Sequence, residues 1–443
     1  MASQKHPLLA EFFEYISSGM VSMIGVAIFI LADTFFIANG IGQEAVAALN
    51  VAIPIGNILH GTGWMIGVGG AALYSIVRGQ GDLNRANGIF TFTVKLAAIV
   101  ATIVCLLLLV FNEPILYFFG ASGQTIGLAQ EYFIIHAFYG PFFIIANTFV
   151  SFVRNDNNPR LATMALMSGA FSNIILDYIY IYWFNWGMAG ASFATILSPA
   201  ITLAVLTLHL NYAKRKLAFA PFRFHLDRLR RIFSIGFSSL LNELASGMII
   251  VFFNQAMLVL VGDVGVSAYA VVANINLVAL LIFQGMGQGV QPLISRYYGM
   301  TRGQTVKRLV KFSILAIALV GGVLMTINLS FTDQIVSLFN RNDNPQMAML
   351  ASQGIRFFSL SIILAGLNIL AIYLLAAIER AFASMSISLL RSLILIPPII
   401  SFLASQYGVE GAWATMIVVE FITLVFTTSF ALYYWRKSLA KQT

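Results

Sequence analysis

Asp33, Asp177 and Glu243 are the side chains best placed to do chemistry, because each interrupts a stretch almost free of charge. Asp33 stands in Phe29-Ile30-Leu31-Ala32-Asp33-Thr34-Phe35-Phe36, Asp177 closes Asn173-Ile174-Ile175-Leu176-Asp177, and Glu243 lies in Leu241-Asn242-Glu243-Leu244. Arg391 and Glu420 are set in similar surroundings. A charge at the centre of a bilayer costs about 2.5–3.5 kcal/mol on insertion scales, so ionisable residues there mark ion paths, proton relays or substrate contacts, or else pair with one another. Asn173 and Asp177 are four apart and share one helical face. Arg391 and Glu420 have opposite sign in adjacent apolar runs, which favours a structural ion pair. Arg356 is a further basic residue able to join that pair or replace one member of it.

The elements that must position these residues are membrane spans. The chain has 443 residues, of which 59% are hydrophobic and 9% charged, whereas soluble domains carry about 25% charged residues. Its solvent is therefore lipid. The 37 Phe and 16 Tyr suffice to line a cavity as well as face lipid. A span needs about 20 mostly apolar residues. Twelve candidates satisfy this, at 12–37, 46–76, 88–110, 127–153, 160–183, 189–210, 232–260, 266–297, 307–329, 348–377, 381–404 and 410–435.

Basic residues alternate from loop to loop. One set carries Arg78 and Arg85; Arg154 and Arg160; Lys214, Lys216, Arg223, Arg228, Arg230 and Arg231; Arg296, Arg302, Lys307 and Arg308; Arg380; and Arg436, Lys437 and Lys441. The opposite set carries Arg341 against Glu44, Glu113, Asp263, Asp333, Asp343 and Glu410. The positive-inside bias places both termini in the cytoplasm. The net charge of +8 is thus an orientation signal and not a sign of nucleic-acid binding. The N-terminus lacks the pattern of a removable signal peptide. The single Cys105 excludes a disulfide within the chain and reads as a buried bystander.

The chain also repeats itself. At a constant offset of 220, Gly42 falls on Gly262, Gly67 and Gly69 on Gly287 and Gly289, and Phe119 on Phe339; further on, with the offset grown by one, Gly187 and Gly190 fall on Gly408 and Gly411. Six spans per copy is an even number, so both copies enter from the same side, as a parallel repeat about an axis along the membrane normal. The expected fold is all-α and polytopic: twelve helices in two six-helix lobes, 1–210 and 232–443, joined by a basic cytoplasmic linker at 211–231. Two lobes around a cavity are the usual frame for alternating access. No Gly-rich phosphate loop and no His-Glu-x-x-His occurs, so the energy is expected from an ion gradient and not from ATP bound by this chain.

With these features the chain resembles the multidrug and toxic compound extrusion (MATE) family, in its MepA-like and DinF-like branch. The resemblance covers essentially the whole chain. It rests on the twelve spans, the duplication, and the segments Leu31 to Ile37, Arg154-Asn155-Asp156-Asn157-Asn158-Pro159-Arg160, Asn173 to Asp177, and Gly187-Met188-Ala189-Gly190-Ala191. It implies a cation or proton site in the first lobe built from Asp33, Asn147, Asn173, Asp177 and Thr195. These would offer Na⁺ the oxygen ligands a hard cation takes, with Asp33 and Asp177 as the metal-binding carboxylates. The two carboxylates could instead share a proton, since like charges held close do not both ionise. The competing readings are inert buried carboxylates and, for the amides and the hydroxyl, interhelical polar glue. Glu243 matches an acidic position linked in the family to coupling or drug binding. An acid found in span 10 of some members is missing, since Phe357 to Ile378 holds no Asp or Glu, which shifts weight to the first lobe.

Tyr139 and Phe142, beside Phe138 and Phe143, and the soft side chains Met248 and Met286, beside Met257, are candidates for an adaptable drug surface. Packing is the default for all of them, as it is for His60 and His136. Lys95 is expected to snorkel, and Glu131 to sit at the interface. The expected function is export of amphipathic organic cations, drugs or toxins, in exchange for Na⁺ or H⁺, by a monomer in the cell membrane with no cofactor. A lipid or lipid-linked sugar flippase, which would want a cationic cavity, and a membrane enzyme are the alternatives.

Overall fold

The computed structural model describes residues 5–119, 121, 123, 125–222, 224–340 and 344–434; Arg223, Arg341, Asp343, Arg436, Lys437 and Lys441 lie outside them. The described residues form helices and connections, with no strand. The first lobe contains α1 (Lys5–Gly40), α2 (Gln43–Gly79), α3 (Leu83–Val110), the short α4 (Asn112–Phe118), α5 (Ile126–Tyr139), α6 (Pro141–Asn155), α7 (Pro159–Tyr178) and α8 (Gly187–Leu206). The second contains α9 (Leu226–Val261), α10 (Asp263–Gly299), α11 (Gly303–Ser330), the short α12 (Thr332–Phe339), α13 (Pro345–Ala377), α14 (Ala381–Leu389) and α15 (Ile396–Tyr434).

Local chemistry sets the helix boundaries. Asp82, Asn158 and Asn344 each accept a hydrogen bond from the backbone amide three residues on, at 2.9, 3.3 and 3.1 Å, and so cap α3, α7 and α13. Pro159 and Pro345 follow at the first helical position, where a missing N–H costs nothing. The expected span 127–153 is one crossing made of two helices, α5 and α6, bent by 50° at Gly140 and Pro141. The stretch from α14 through α15 is too long for one crossing and breaks at Gly408, whose φ of 58° no helix interior adopts. Counting the bent pair once and this stretch twice gives two lobes of six. The short α4 and α12, which the hydropathy reading passed over, lie 220 positions apart.

Backbone geometry repeats with the sequence. Positive φ occurs at Gly42 and Gly262, Gly81 and Thr301, Asn157 and Glu379, and Gly187 and Gly408. Asn157, Thr301 and Glu379 hold that conformation without being glycine, so it is the turn and not the residue type that recurs. A π-helical turn follows α7 at Ile179–Trp183, closed by Phe184 N donating to Ile179 O at 3.1 Å; its counterpart at Leu390–Ile394 is closed by Leu395 N and Leu390 O at 3.1 Å. Such turns recur at functional sites, and here one follows Asp177 and the other contains Arg391.

The lobes meet along a seam of bare backbone. A Cβ on Gly19 of α1 would fall 1.9 Å from the Gly285 carbonyl oxygen of α10, and one on Gly236 of α9 would fall 1.8 Å from the Met65 carbonyl oxygen of α2. The repeat carries Met65 onto Gly285 and sets the packing of α9 on α2 opposite that of α1 on α10. Polar bonds cross the same end: Arg296 is paired with Glu11 and donates to Asn157 Oδ1 at 2.9 Å, and the buried Arg154 donates to Gln288 Oε1 at 2.9 Å. The linker docks onto the first lobe through Asp156. Its carboxylate accepts from Tyr74 Oη at 3.2 Å, Arg78 Nη1 at 3.1 Å and the Lys216 and Leu217 amides at 2.9 Å, and lies 3.0 Å from His209 Nε2. Burial pushes this carboxyl up, but the bonds from His209, the two amides and Arg78 prevail and hold it below the usual carboxylate range.

Candidate functional site

Above the glycine seam, away from the termini, lies a central cavity of about 240 Å³. Both lobes line it. Asp33 and Thr34 come from α1, Asn57 and His60 from α2, and Tyr132 and His136 from α5; α6 supplies Asn147 and α8 Thr195, while Asn242 and Glu243 enter from α9, with Arg391 beyond. Apolar side chains such as Met23, Phe29, Trp64 and Leu281 complete the wall. Aromatic and aliphatic walls with few polar groups are the usual make-up of a small-molecule pocket.

Asp33, Asn147 and Thr195 share this wall, while Asn173 and Asp177 sit fully buried behind it. The Asp33 and Asp177 carboxyls come within hydrogen-bonding reach of each other. The Asn173 amide, turned to suit its neighbours, donates to Asp177 Oδ2 at 3.1 Å and accepts from the Thr195 amide at 3.3 Å. Asp33 Oδ1 and Asp177 Oδ1 are buried without a hydrogen-bond partner. Two carboxylates in contact away from water need a neutraliser, and orphaned buried oxygens leave room for one. Na⁺ or a shared proton each fits that requirement. Asn147 contributes less directly: its Nδ2 lies 3.2 Å from His60 Nδ1. No cluster of three or more His, Cys, Asp or Glu able to hold a transition metal occurs among the described residues.

On the far wall, Glu243 faces the same cavity from the second lobe, next to Asn242, whose buried Nδ2 lacks a partner. Arg391 Nε donates to Glu420 Oε1 at 2.7 Å, and Glu420 also accepts from Asn368 Nδ2 at 2.8 Å. Arg356, the other basic residue considered for this pair, is exposed. Arg391 combines two settings, because Nη2 has no partner while the side chain reaches the cavity wall.

Four expected drug contacts are elsewhere. Met286 is fully buried in the core of the second lobe, and Tyr139, Phe142 and Met248 are not among the cavity-lining side chains. The bend at Gly140 separates Tyr139 from the following turn, and Met286 is turned toward the packing of α10 on α13. Tyr132, His60, His136 and Trp64 line the cavity instead. His136 is stacked 4.4 Å from Tyr132, and its Nδ1 lies 2.9 Å from Ser192 Oγ. Tyr132 and Trp64 carried no signal in sequence, since aromatic residues recur throughout the spans. Lys95 extends its amine 4.8 Å over the Phe222 ring.

A two-lobe helical bundle spanning the membrane, with an acid-lined cavity at the lobe interface, defines the class: a polytopic membrane transporter. The MatE family model matches residues 19–179 and 236–401, one block in each lobe, and the chain belongs to that family, in the branch of the MepA export proteins. It is therefore a transporter and not an enzyme. Among its relatives are the multidrug export protein MepA of Staphylococcus haemolyticus, 24% identical over 422 residues covering 95% of this chain and 92% of that one, and MepA of Staphylococcus aureus strain MSSA476, 22% identical over 94% and 92%. Similar folds include a multidrug resistance MATE family transporter of the MOP superfamily in its outward-facing conformation, with TM-score 0.91 and 18% identity over 97% of this chain and 96% of the other. A MOP superfamily transporter from Pyrococcus furiosus, described as having a binding pocket of reversed polarity, aligns with TM-score 0.88 and 19% identity over 98% and 96%.

Proposed function

We propose that this chain is a secondary multidrug exporter that expels amphipathic organic cations from the cell in exchange for Na⁺ or H⁺. The observation that carries this reading is that Asp33 and Glu243 face one apolar cavity from opposite lobes, with Asp177 in contact with Asp33 behind the wall. An organic cation finds carboxylates and aromatic faces there. The coupling ion binds at Asp33 and Asp177, supported by Asn147, Asn173 and Thr195. The lobes extend over 1–210 and 232–443 with the linker at 211–231, both termini are cytoplasmic, the chain works as a monomer in the cell membrane, and the MepA relatives are export proteins by name. A flippase for anionic lipid-linked substrates would want a cationic wall; here Arg391 is matched by Glu420, leaving Asp33 and Glu243 facing the cavity.

The test is efflux of a fluorescent organic cation from proteoliposomes with a Na⁺ gradient or a pH gradient imposed alone. One gradient should drive export and the other should not. Glu243→Gln should slow export of cationic drugs more than of neutral ones. Efflux driven by neither gradient would end the antiporter reading.

A further inference from the structure

A second cavity of about 520 Å³ lies beneath the start of the inter-lobe linker, between α3, α6 and the end of α8. Phe90, Phe149, Val153, Leu203 and Leu206 form its walls, and Phe219 of the linker lies across it. Its volume is within the usual range of ligand sites, roughly 300–1,000 Å³. An apolar void of this size does not hold water well, and leaving it empty forfeits contacts along its whole lining.

The cation at the mouth is Arg215. It is exposed, it lines the cavity, and its guanidinium has no hydrogen-bond or ion-pair partner among the described residues. Lys214 and Lys216 flank it in sequence, both exposed. His209, the other titratable lining residue, is buried and committed to Asp156. Asp156 is bonded to this segment, and the Lys216 and Leu217 amides already occupy it. The site therefore combines an apolar chamber, which opens where α8 ends at the membrane edge, with an uncompensated basic rim. Leu210 and Phe219, both exposed, belong to its lining.

We infer that this cavity is a binding site for an anionic phospholipid from the adjoining leaflet, with an acyl chain between α3, α6 and α8 and its phosphate on Arg215. The occupant is set by charge complementarity and by place. A long apolar tail fills the chamber, a phosphate answers the Lys214-Arg215-Lys216 triplet, and the leaflet supplies both on one molecule. The Asp156 network already fixes the roof of the site, so a lipid there ties the linker to the first lobe through a second contact. The site shares no lining residue with the central cavity.

The test is native mass spectrometry of the whole protein in detergent, titrated with phosphatidylglycerol, with phosphatidylcholine of the same chains, or with glycerol 3-phosphate, and melting curves taken in parallel. Phosphatidylglycerol should be retained and should raise the melting temperature. Arg215→Gln should weaken its binding about fivefold, the usual effect of one basic residue at a membrane surface. Leu203→Trp, which fills the chamber, should abolish retention. Phosphatidylcholine should bind wild type no better than it binds Arg215→Gln, and glycerol 3-phosphate should fail to displace the lipid. Equal phosphatidylglycerol affinity in wild type and Arg215→Gln would overturn the proposal. So would displacement by glycerol 3-phosphate, which would leave a headgroup site without a chain site. Should Leu203→Trp not fold, Arg215→Gln decides alone, because an exposed side chain without partners is not needed for folding.

Discussion

Replacing Gly19 with Ala should drive the two lobes apart at the terminus side. The added methyl would sit 1.9 Å from the Gly285 carbonyl oxygen, a separation below 3.0 Å that real Cβ atoms essentially never show, so α1 and α10 must part by about 1 Å. The obstacle is backbone, which cannot rotate away as a side chain can. Overpacking of this kind costs about 1–3 kcal/mol. That cost falls only on the conformation in which the seam is closed; lobes separated at this end do not feel it. A penalty near 2 kcal/mol shifts the equilibrium toward the separated form about thirtyfold. Gln291, buried at this seam with Nε2 3.5 Å from the Val68 oxygen, is a suitable reporter. In a Cys105→Ala background, Gln291→Cys should react with a water-soluble maleimide about thirty times faster when Gly19→Ala is present, since labelling follows the population of the open form. Gly127→Ala, where an added Cβ meets nothing within 4 Å, should leave the rate unchanged. Gly236→Ala, whose added Cβ would press α9 on α2 as that of Gly19→Ala presses α1 on α10, should act like Gly19→Ala. Unchanged labelling in folded Gly19→Ala and Gly236→Ala proteins would mean that the lobes do not part along this seam, and rocking about it would have to be abandoned.

Three further outcomes follow from the geometry. Asp177→Asn keeps the size and hydrogen-bonding capacity of the side chain next to Asn173, so efflux in proteoliposomes should be lost while thermal stability and yield hold; wild-type efflux under both Na⁺ and H⁺ gradients would remove the first-lobe ion site. Glu420→Gln leaves Arg391 buried without its counter-charge, which costs about 3–5 kcal/mol, and a melting temperature equal to wild type would show that the pair is dispensable. Asp156 titrates below the usual carboxylate range, so its contribution to stability is fully present above that range and is lost as pH falls through the lowered value; melting curves of wild type and Asp156→Asn should accordingly converge on the acid side and separate toward neutrality.

The fold was legible because lipid imposes a simple rule. Helices that must satisfy their own backbone in hydrocarbon leave long apolar runs, and the alternating arginines and lysines count them. The repeat could be followed from glycines at turns and seams, where backbone geometry dictates the residue. The bend between α5 and α6 was hidden because Gly140 and Pro141 interrupt neither hydropathy nor length. The π turns were hidden because they change hydrogen bonding without changing composition. At the site, ionisable residues stood out through their cost in lipid, which is why Asp33, Asp177 and Glu243 could be picked from sequence. Aromatic and methionine side chains carry no such cost, so their facing depends on helix rotation; Met286 turned into the core and Tyr132 into the cavity. Asp156 was seen only as part of the Arg154–Arg160 motif, because the linker amides it holds lie 60 residues further on.

The placement of charge also bears on how strongly drug and ion would oppose each other. On the proposed mechanism both depend on Asp33, the drug from the cavity side and the ion from the side of Asp177. A cation or proton taken up between the two carboxylates cancels negative charge that a positive drug would otherwise feel. Unit charges 4 Å apart interact by about 4 kcal/mol at an effective dielectric constant of 20, and by half that at twice the distance. Either value reaches the 1–3 kcal/mol by which coupled sites usually affect one another. A relay of side chains through the lobe is then unnecessary for the binding antagonism itself. What the lobes must add is direction: the ion has to meet Asp33 and Asp177 when the cavity faces one side of the membrane and leave when it faces the other. Glu243 belongs to the opposite lobe from Asp33, so parting the lobes changes the distance between the two acids and with it the hold on a cation between them. Charge competition at Asp33 would thus set the strength of exchange, and the glycine seam would set its sidedness.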